Sequence, residues 1–534
     1  MLAFDLDPSL TQNFAGFAIQ CTPPNGTPFY LSNRLGFETP ITATTTPQQR
    51  VFTPSDQAPF QKFRWVDAPA AIVPGSYHYQ VTAMYFQTSE GLKSGATASV
   101  SVNLLPQQYE KFEFGFTRGD LSSQAYAAKF KNAPFRPAQK SIDYDTAPYE
   151  KQYEWLGYHA RKLVFSFIEE CLADPEITVD LFAYDLDEPD VIRALEKLGS
   201  RLRAVLDDAP LHTGATAMEP LAKAKLIASA SAANIKTGHF HRFAHCKVLI
   251  QKKNGKAVKV LTGSANFSVR GLYVQANNVL VFEDASTADL YEQAFNEAFS
   301  SMAGFAKSAI AAQWFDLKGQ GIPSCSVCFS PHTSADTSLK KVASAIEQAK
   351  GSVLYAIMEL AGSGVVLDDL KALGSNPNVF SYGVTQTDKG LNLYKPDASN
   401  GLLVSFSYLK SKVPPPFDQE WEGGMGQVIH HKFIVVDFNG DNPVVFTGSS
   451  NLAAGGEQDN GDNLLAIYDP AIVTAYAVEA IRLIDHFHFR VAMSTATTAT
   501  PLVLQGKDTV QKWWQPYYDP KNIKCTERLL FAKG

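Results

Sequence analysis

Two imidazoles, two ammonium groups and two amides recur in this chain at fixed spacing. His430-His431-Lys432 runs into Phe433-Ile434-Val435-Val436-Asp437, and Gly448-Ser449-Ser450-Asn451 follows. Earlier, His245-Cys246-Lys247 runs into Val248-Leu249-Ile250, followed by Thr262-Gly263-Ser264-Ala265-Asn266. Each matched position is offset by 185 residues: His245 with His430, Lys247 with Lys432, Ser264 with Ser449, Asn266 with Asn451. The register continues without a gap through Gly271 and Gly456, then Asn278 and Asn463. Such groups make a nest for a phosphate, because ammonium charge meets the non-bridging oxygens while amides and hydroxyls donate hydrogen bonds to them. Imidazole, with an ordinary pKa near 6.5, is available at neutral pH both as a nucleophile and as a proton donor. A repeat of this length, confined to such residues, indicates internal duplication.

Each motif needs a strand to aim it. The apolar, β-branched run before Asp437 predicts a buried strand from His430 to Asp437, with His430 and Lys432 on one face. A turn at Asn439-Gly440 then leads into a partner strand, Val444-Val445-Phe446-Thr447, that delivers Ser449 and Asn451. Around the motifs the pattern alternates between helix and strand. Ala160–Ile168 reads as a helix, Ile177–Tyr184 as a strand, a helix starts near Pro189, and Leu202–Leu206 is a strand. Repeat two begins alike: Ser338–Ile346 as helix, Ser352–Ile357 and Val379–Val384 as strands. The fold class is α/β, with a sheet sandwiched by helices in each half.

Two H-x-K…G-S-x-N motifs in one chain resemble the phospholipase D superfamily, over roughly residues 150 to 490. That resemblance implies two pseudo-two-fold related α/β/α halves sharing one active site. It also implies a covalent phosphohistidine, then hydrolysis by water that the second histidine activates. Carried onto this chain, it makes His245 the nucleophile and His430 the general acid, later base. Lys247, Lys432, Asn266 and Asn451 hold the phosphate, with Ser264, Ser449, Asn278 and Asn463 supporting. Asp437 matches the family's motif aspartate, whereas repeat one has Lys252 there. Eleven residues past the motif asparagines stand Asn277 and Asp462. Relatives use a carboxylate there to orient a histidine of the opposite repeat, which pairs Asp462 with His245. The lysines and amides take the part that other phosphodiesterases give to metals, so neither metal nor cofactor is expected.

With 534 residues, 45% hydrophobic and 19% charged, the chain is expected to be an ordinary globular protein of two or three domains. A net charge of −6 without a dense Lys/Arg run gives no support to nonspecific nucleic-acid binding. The N-terminus lacks the basic and apolar regions of a signal peptide, and no stretch of about 18 apolar residues is present. A cytoplasmic location, or export by a signal-less route, is the expectation. Of six cysteines, Cys325 and Cys328 have C-x-x-C spacing without a second pair, and they read as strand residues. His239, His241 and His245 could be taken as a metal cluster, but the repeat already accounts for His245. His239, His241 and His431 are expected to be structural.

Domain boundaries follow from composition. Residues 1–105 are rich in Thr, Pro, Phe and Tyr in alternating runs, and predict a β-sandwich; Pro74-Gly75-Ser76-Tyr77 through Val81 resembles fibronectin type III modules, with Trp65 a core aromatic. Residues 106–150 form a connector with alternating Phe112, Phe114 and Phe116 before the tripeptide Arg118-Gly119-Asp120. Residues 151–322 and 323–534 are the two halves, the second ending in an aromatic tail around Trp513-Trp514-Gln515-Pro516-Tyr517-Tyr518. That tail either binds an apolar surface or folds back on the core. The stretch from Thr385 to Gly426, with Trp421, is either a loop over the site entrance or a plain surface excursion. The favoured reading is a metal-independent phosphodiesterase acting on a phospholipid, with peripheral membrane contact and a monomer sufficing. The alternatives are a nuclease on the same scaffold and a non-catalytic binding protein.

Overall fold

A computed structural model describes residues 1–67, 73–88, 91–104, 109–119, 123–358, 363–373, 376, 378–385, 403–405 and 429–532. The chain divides into two compact units, one of residues 1–108, 394–402 and 485–534, the other of residues 109–393 and 403–484. Both motifs lie in the second unit.

That unit is built on two mixed sheets with one shared plan. In strand order the first runs Ile235–Thr237, Leu202–Leu206, Ile177–Ala183, Val248–Lys253, Lys256–Gly263, Asn278–Phe282, Phe112–Phe116. The second, in the matching direction, runs Leu403–Ser405, Phe380–Thr385, Ser352–Ile357, Lys432–Val436, Val444–Gly448, Asp462–Ile467, Cys325–Ser330, and adds Phe315–Leu317 at its edge. The duplication therefore extends from motifs to topology. Lys432–Val436 is buried at every position, and Val248–Lys253 at every position but its last, because sheet neighbours and helices cover both faces. Glu188 caps the helix Pro189–Leu198 by accepting the Val191 N–H, with Pro189 opening the first turn. Each half has its own core, one around Leu181, Leu195, Leu249 and Phe267, the other around Leu339, Tyr355, Ile434 and Phe446.

One sequence expectation needs correction. The motif strand spans Lys432–Val436, so His430 and Asp437 flank it. His430 leaves the sheet because its N–H bonds to the carbonyl of Ala276 in the other repeat, beside a parallel bridge between Ala276 and Ile429. Asp437 serves the fold as a structural partner. At the far end of the strand, with φ 48°, it accepts backbone N–H bonds from Lys350 (2.9 Å), Gly351 (2.7 Å) and Ser352 (2.8 Å). In repeat one Lys252 inverts the charge and is held by Asp180 (2.7 Å) and Glu292 (3.3 Å).

In the other unit the N-terminal strands form sheets. One has four antiparallel strands, ordered Phe29–Tyr30, Phe14–Thr22, Gly75–Phe86, Leu92–Leu104; two ribbons pair Leu2–Ala3 with Arg64–Trp65 and Ser32–Asn33 with Thr53–Pro54. Residues 485–534, which the sequence boundaries assign to the second half, belong to this unit. Trp513 and Tyr517 sit in its core, 5.2 Å from the Phe14 ring and 4.8 Å from the Phe63 ring respectively. The tail thus folds inward. Phe112–Phe116 is an edge strand paired with Asn278–Phe282. Arg118 is buried against Tyr158, and Asp120 lies outside the described residues, as does most of the stretch from Thr385 to Gly426.

Because Asp437 satisfies three backbone donors, Asp437→Ala should destabilise the protein by roughly 1–3 kcal/mol. Thermal unfolding measures this, and an unchanged melting temperature would contradict the assignment. Affinity for an oxyanion such as tungstate should stay as in the wild type.

Candidate active site

The strands that follow the motif lysines are hairpins, and the next strand back completes each motif. Gly263 (φ 143°) and Gly448 (φ 137°) end the second strand of each hairpin, where a Cβ would collide with the carbonyl oxygen of Asn278 or Asn463. This close approach lets Ser264 N and Ser449 N bond those carbonyls, both at 3.0 Å. The serine hydroxyls in turn accept the backbone N–H of Asn278 and Asn463, again both at 3.0 Å. Ser264 and Ser449 are therefore buttresses, fully buried behind the site. Asn278 and Asn463 cross between the repeats: Asn278 Nδ2 donates to Thr447 Oγ1 (3.3 Å), and Thr262 Oγ1 donates to Asn463 Oδ1 (3.1 Å). His431 is also structural, packed between Asn278 and Glu479.

The two histidines are held across the repeat boundary. His245 Nδ1 lies 2.7 Å from Asp462 Oδ1, so Nδ1–H donates and the carboxylate accepts. His430 Nδ1 lies 2.8 Å from Asn277 Oδ1, which accepts likewise. Both rings are thereby fixed as the tautomer that leaves Nε2 for chemistry. Lys247 Nζ donates to the carbonyl of His245 and sits 4.7 Å from the Tyr184 ring centroid; Lys432 Nζ donates to the carbonyl of His430 at 2.8 Å. Among the described residues the side-chain oxygens of Asn266 and Asn451 are buried without a partner. The Asn277/Asp462 asymmetry has a local cause. Asn277 Nδ2 donates to the carbonyl of Gly271 at 2.8 Å, where a carboxylate oxygen would face an oxygen. The matched Gly456 carbonyl is already bonded by Asn460 N (2.9 Å).

The family profile described as "Cardiolipin synthase, PLD-like domain" matches residues 168–299 and 342–484, together just over half of the chain. The chain belongs to the phospholipase D-like family. Its fold is similar to that of phosphatidylserine synthase from Haemophilus influenzae Rd KW20, at 12% identity over 69% of this chain and 90% of that one, with a TM-score of 0.41. It is similar also to the phospholipase D family member Nuc from Salmonella typhimurium, at 23% identity over 26% of this chain and 87% of that one, TM-score 0.22. Polyphosphate kinase from Porphyromonas gingivalis matches at 11% identity over 61% of this chain, TM-score 0.39, and this chain covers 49% of its length. Curated proteins contain no match.

The electrostatics of this phospholipase D-like site follow from burial of several basic groups together. His245, Lys247, His430 and Lys432 are each at most 4% exposed. Burial pushes His245 down to about 4 against the opposing pull of Asp462. Burial first, then Lys432, holds His430 well below its ordinary range. Lys247 is lowered to about 8 by burial, and Lys432 falls well below its usual value through burial and the neighbouring Lys247. Both imidazoles are neutral at pH 7 until an anion arrives.

Sequence reasoning missed a polar chain beside motif one. Asn266 Nδ2 donates to Asp185 Oδ2 (2.6 Å), Asp185 Oδ1 lies 2.9 Å from His212 Nε2, and His212 Nδ1 lies 2.7 Å from Asp207 Oδ2. The available signal was position: Asp185 and Asp207 come just after the ends of the parallel strands Ile177–Ala183 and Leu202–Leu206, where α/β sheets place their sites. Asp185, His212 and Glu219 have ligand atoms within 4.8 Å of one another, a spacing that suits a metal ion. Yet carboxylates already engage both ring nitrogens of His212. His239 and His241 are exposed and outside the site. Cys325 and Cys328 are buried thiols on a strand.

An entering oxyanion should offset the influence of Lys247 and Lys432 on the imidazoles, raise the imidazole pKa values and so draw protons in. Calorimetry of tungstate binding at pH 7, in buffers of different ionisation enthalpy, should show net proton uptake, reduced in His430→Ala. Binding without proton exchange would contradict the suppressed basicity.

Proposed function

We propose that this chain is a metal-independent phosphodiesterase of phospholipase D type, working through a covalent phosphohistidine, with a phospholipid as substrate. The observation that carries the reading is the reciprocal pairing of His245 with Asp462 and His430 with Asn277 through Nδ1, which supports a mechanism in which the two Nε2 atoms act on one phosphate.

In this mechanism His245 Nε2 attacks phosphorus, and the bond from phosphorus to the leaving alcohol oxygen breaks. The N-phosphorylated ring is cationic with a proton on Nδ1, and Asp462 stabilises that charge. Asn277, neutral, suits the ring that must give its proton away. His430, protonated once the phosphate anion has entered, donates from Nε2 to the departing alkoxide. It then takes a proton from water, or from an acceptor alcohol, whose oxygen displaces His245 and restores the neutral imidazole. Lys247, Lys432, Asn266 and Asn451 bind the equatorial oxygens, whose charge their fixed donors stabilise. The lipid assignment rests on the −6 net charge and on the lipid synthase named in the matching family profile. Since one chain holds both motifs, a monomer is sufficient.

Assays in EDTA should offer phosphatidylcholine and phosphatidylglycerol vesicles, and separately single-stranded DNA, to wild type, His245→Ala and His430→Ala. Headgroup release by the wild type, reduced at least 10³-fold in either variant, is the expected result. DNA cleavage lost in both variants would move the substrate assignment to nucleic acid. A requirement for added metal would overturn the mechanism.

A further inference from the structure

We infer that Asp185, backed by His212 and Asp207, is a positioning residue that sets which way the Asn266 amide faces the phosphate. The inference rests on the phosphate nest proposed above and adds three residues to it.

An asparagine amide can occupy its site in two orientations, and they are opposite in effect towards an anion: one presents N–H donors, the other a carbonyl oxygen. Asn266 is buried at 1% exposure, and its Nδ2 lies 2.6 Å from the Asp185 carboxylate. The flipped amide would set its oxygen against that carboxylate. The flip is therefore excluded by charge, and the second N–H of the same nitrogen is left to point at a substrate oxygen. No such partner fixes Asn451 among the described residues, where its oxygen is likewise unpaired. The orientation of the repeat-one amide is thus built in before any substrate arrives.

A carboxylate beside a phosphate site is costly unless its charge is cancelled, and His212 does this. Its two ring nitrogens contact Asp185 (2.9 Å) and Asp207 (2.7 Å), so the ring is an imidazolium between two carboxylates. Burial lowers its pKa, but the two hydrogen bonds outweigh that and raise it to about 10. Asp207 also accepts the backbone N–H of Ala244, the residue before His245. Tyr184 packs edge-on to both His212 (4.4 Å) and His245 (4.7 Å). One chain of charges therefore ties the backbone at the first motif histidine to the first motif amide, which lies 21 residues further on in the sequence.

A double-mutant cycle on the full chain tests this, with tungstate affinity by calorimetry as the readout, so that turnover is not required. Asp185→Asn and Asn266→Ala should each weaken tungstate at least tenfold, and the double variant should bind no worse than Asn266→Ala alone, because Asp185 acts through that amide. Losses that multiply, or an Asp185→Asn variant with wild-type affinity, would overturn the inference. If Asp185→Asn does not fold, His212→Gln replaces it in the cycle with the same expected non-additivity. On a phosphodiester that turns over, Asp185→Asn should raise KM and lower kcat while the melting temperature stays near wild type. Tungstate binding and non-additivity without any turnover would leave this inference standing and remove the catalytic reading. A wild type that does not bind tungstate would remove both.

Discussion

The site depends on one constraint: neither repeat can orient its own histidine. Asp462 belongs to repeat two and holds His245 of repeat one; Asn277 belongs to repeat one and holds His430 of repeat two. Asp462 opens the strand that follows its own motif and Asn277 immediately precedes the matching strand, so packing the two sheets is what assembles the site. Thr262 with Asn463, and Asn278 with Thr447, add a second pair of reciprocal bonds through the same interface. All of these groups are buried, and a buried polar group left without its partner costs on the order of 1–3 kcal/mol. The interface is specified by that penalty as much as by its apolar contacts.

Symmetry of fold is combined with asymmetry of charge. The strand order of one sheet repeats in the other, and the glycines and serines of the G-S-x-N turns make matching contacts with Asn278 and Asn463. The departures are local and have local causes. Asn277 is an amide because the Gly271 carbonyl needs a donor there. Lys252 replaces the aspartate of repeat two because the acidic partners Asp180 and Glu292 surround it, whereas Asp437 faces three backbone N–H groups. In the proposed mechanism, one carboxylate and one amide behind two histidines would distinguish the ring that carries positive charge as a phosphorylated intermediate from the ring that releases a proton.

The sequence was most legible where function requires short, rigid spacing. The 185-residue register located both hairpins, the strands Ile177–Ala183, Leu202–Leu206 and Ser352–Ile357 emerged from apolar runs, and the Asp462–His245 contact followed from the family resemblance. Less legible was anything set by long-range packing. Ser264 and Ser449 look like phosphate ligands by type, but the tight approach at Gly263 and Gly448 turns them towards the strand behind. Asp185, Asp207 and His212 share no motif, since two separate segments, after Ile177–Ala183 and after Leu202–Leu206, bring them together. The tail from residue 485 has an aromatic composition that suits either a surface or a core, and only the packing of Trp513 and Tyr517 with Phe14 and Phe63 distinguishes them.

The central claim is that His245 takes the phosphoryl group and His430 moves the proton. It can be tested with a phosphodiester whose leaving group needs no acid, such as bis(4-nitrophenyl) phosphate, added to His430→Ala and quenched at early times. The account predicts a burst of about one nitrophenolate per protein, and a phosphoryl adduct that mass spectrometry of the digested protein assigns to the peptide carrying His245. An adduct on the His430 peptide of His245→Ala, with none on His245, would reverse the roles. A linear release with no adduct in either variant would contradict the covalent mechanism.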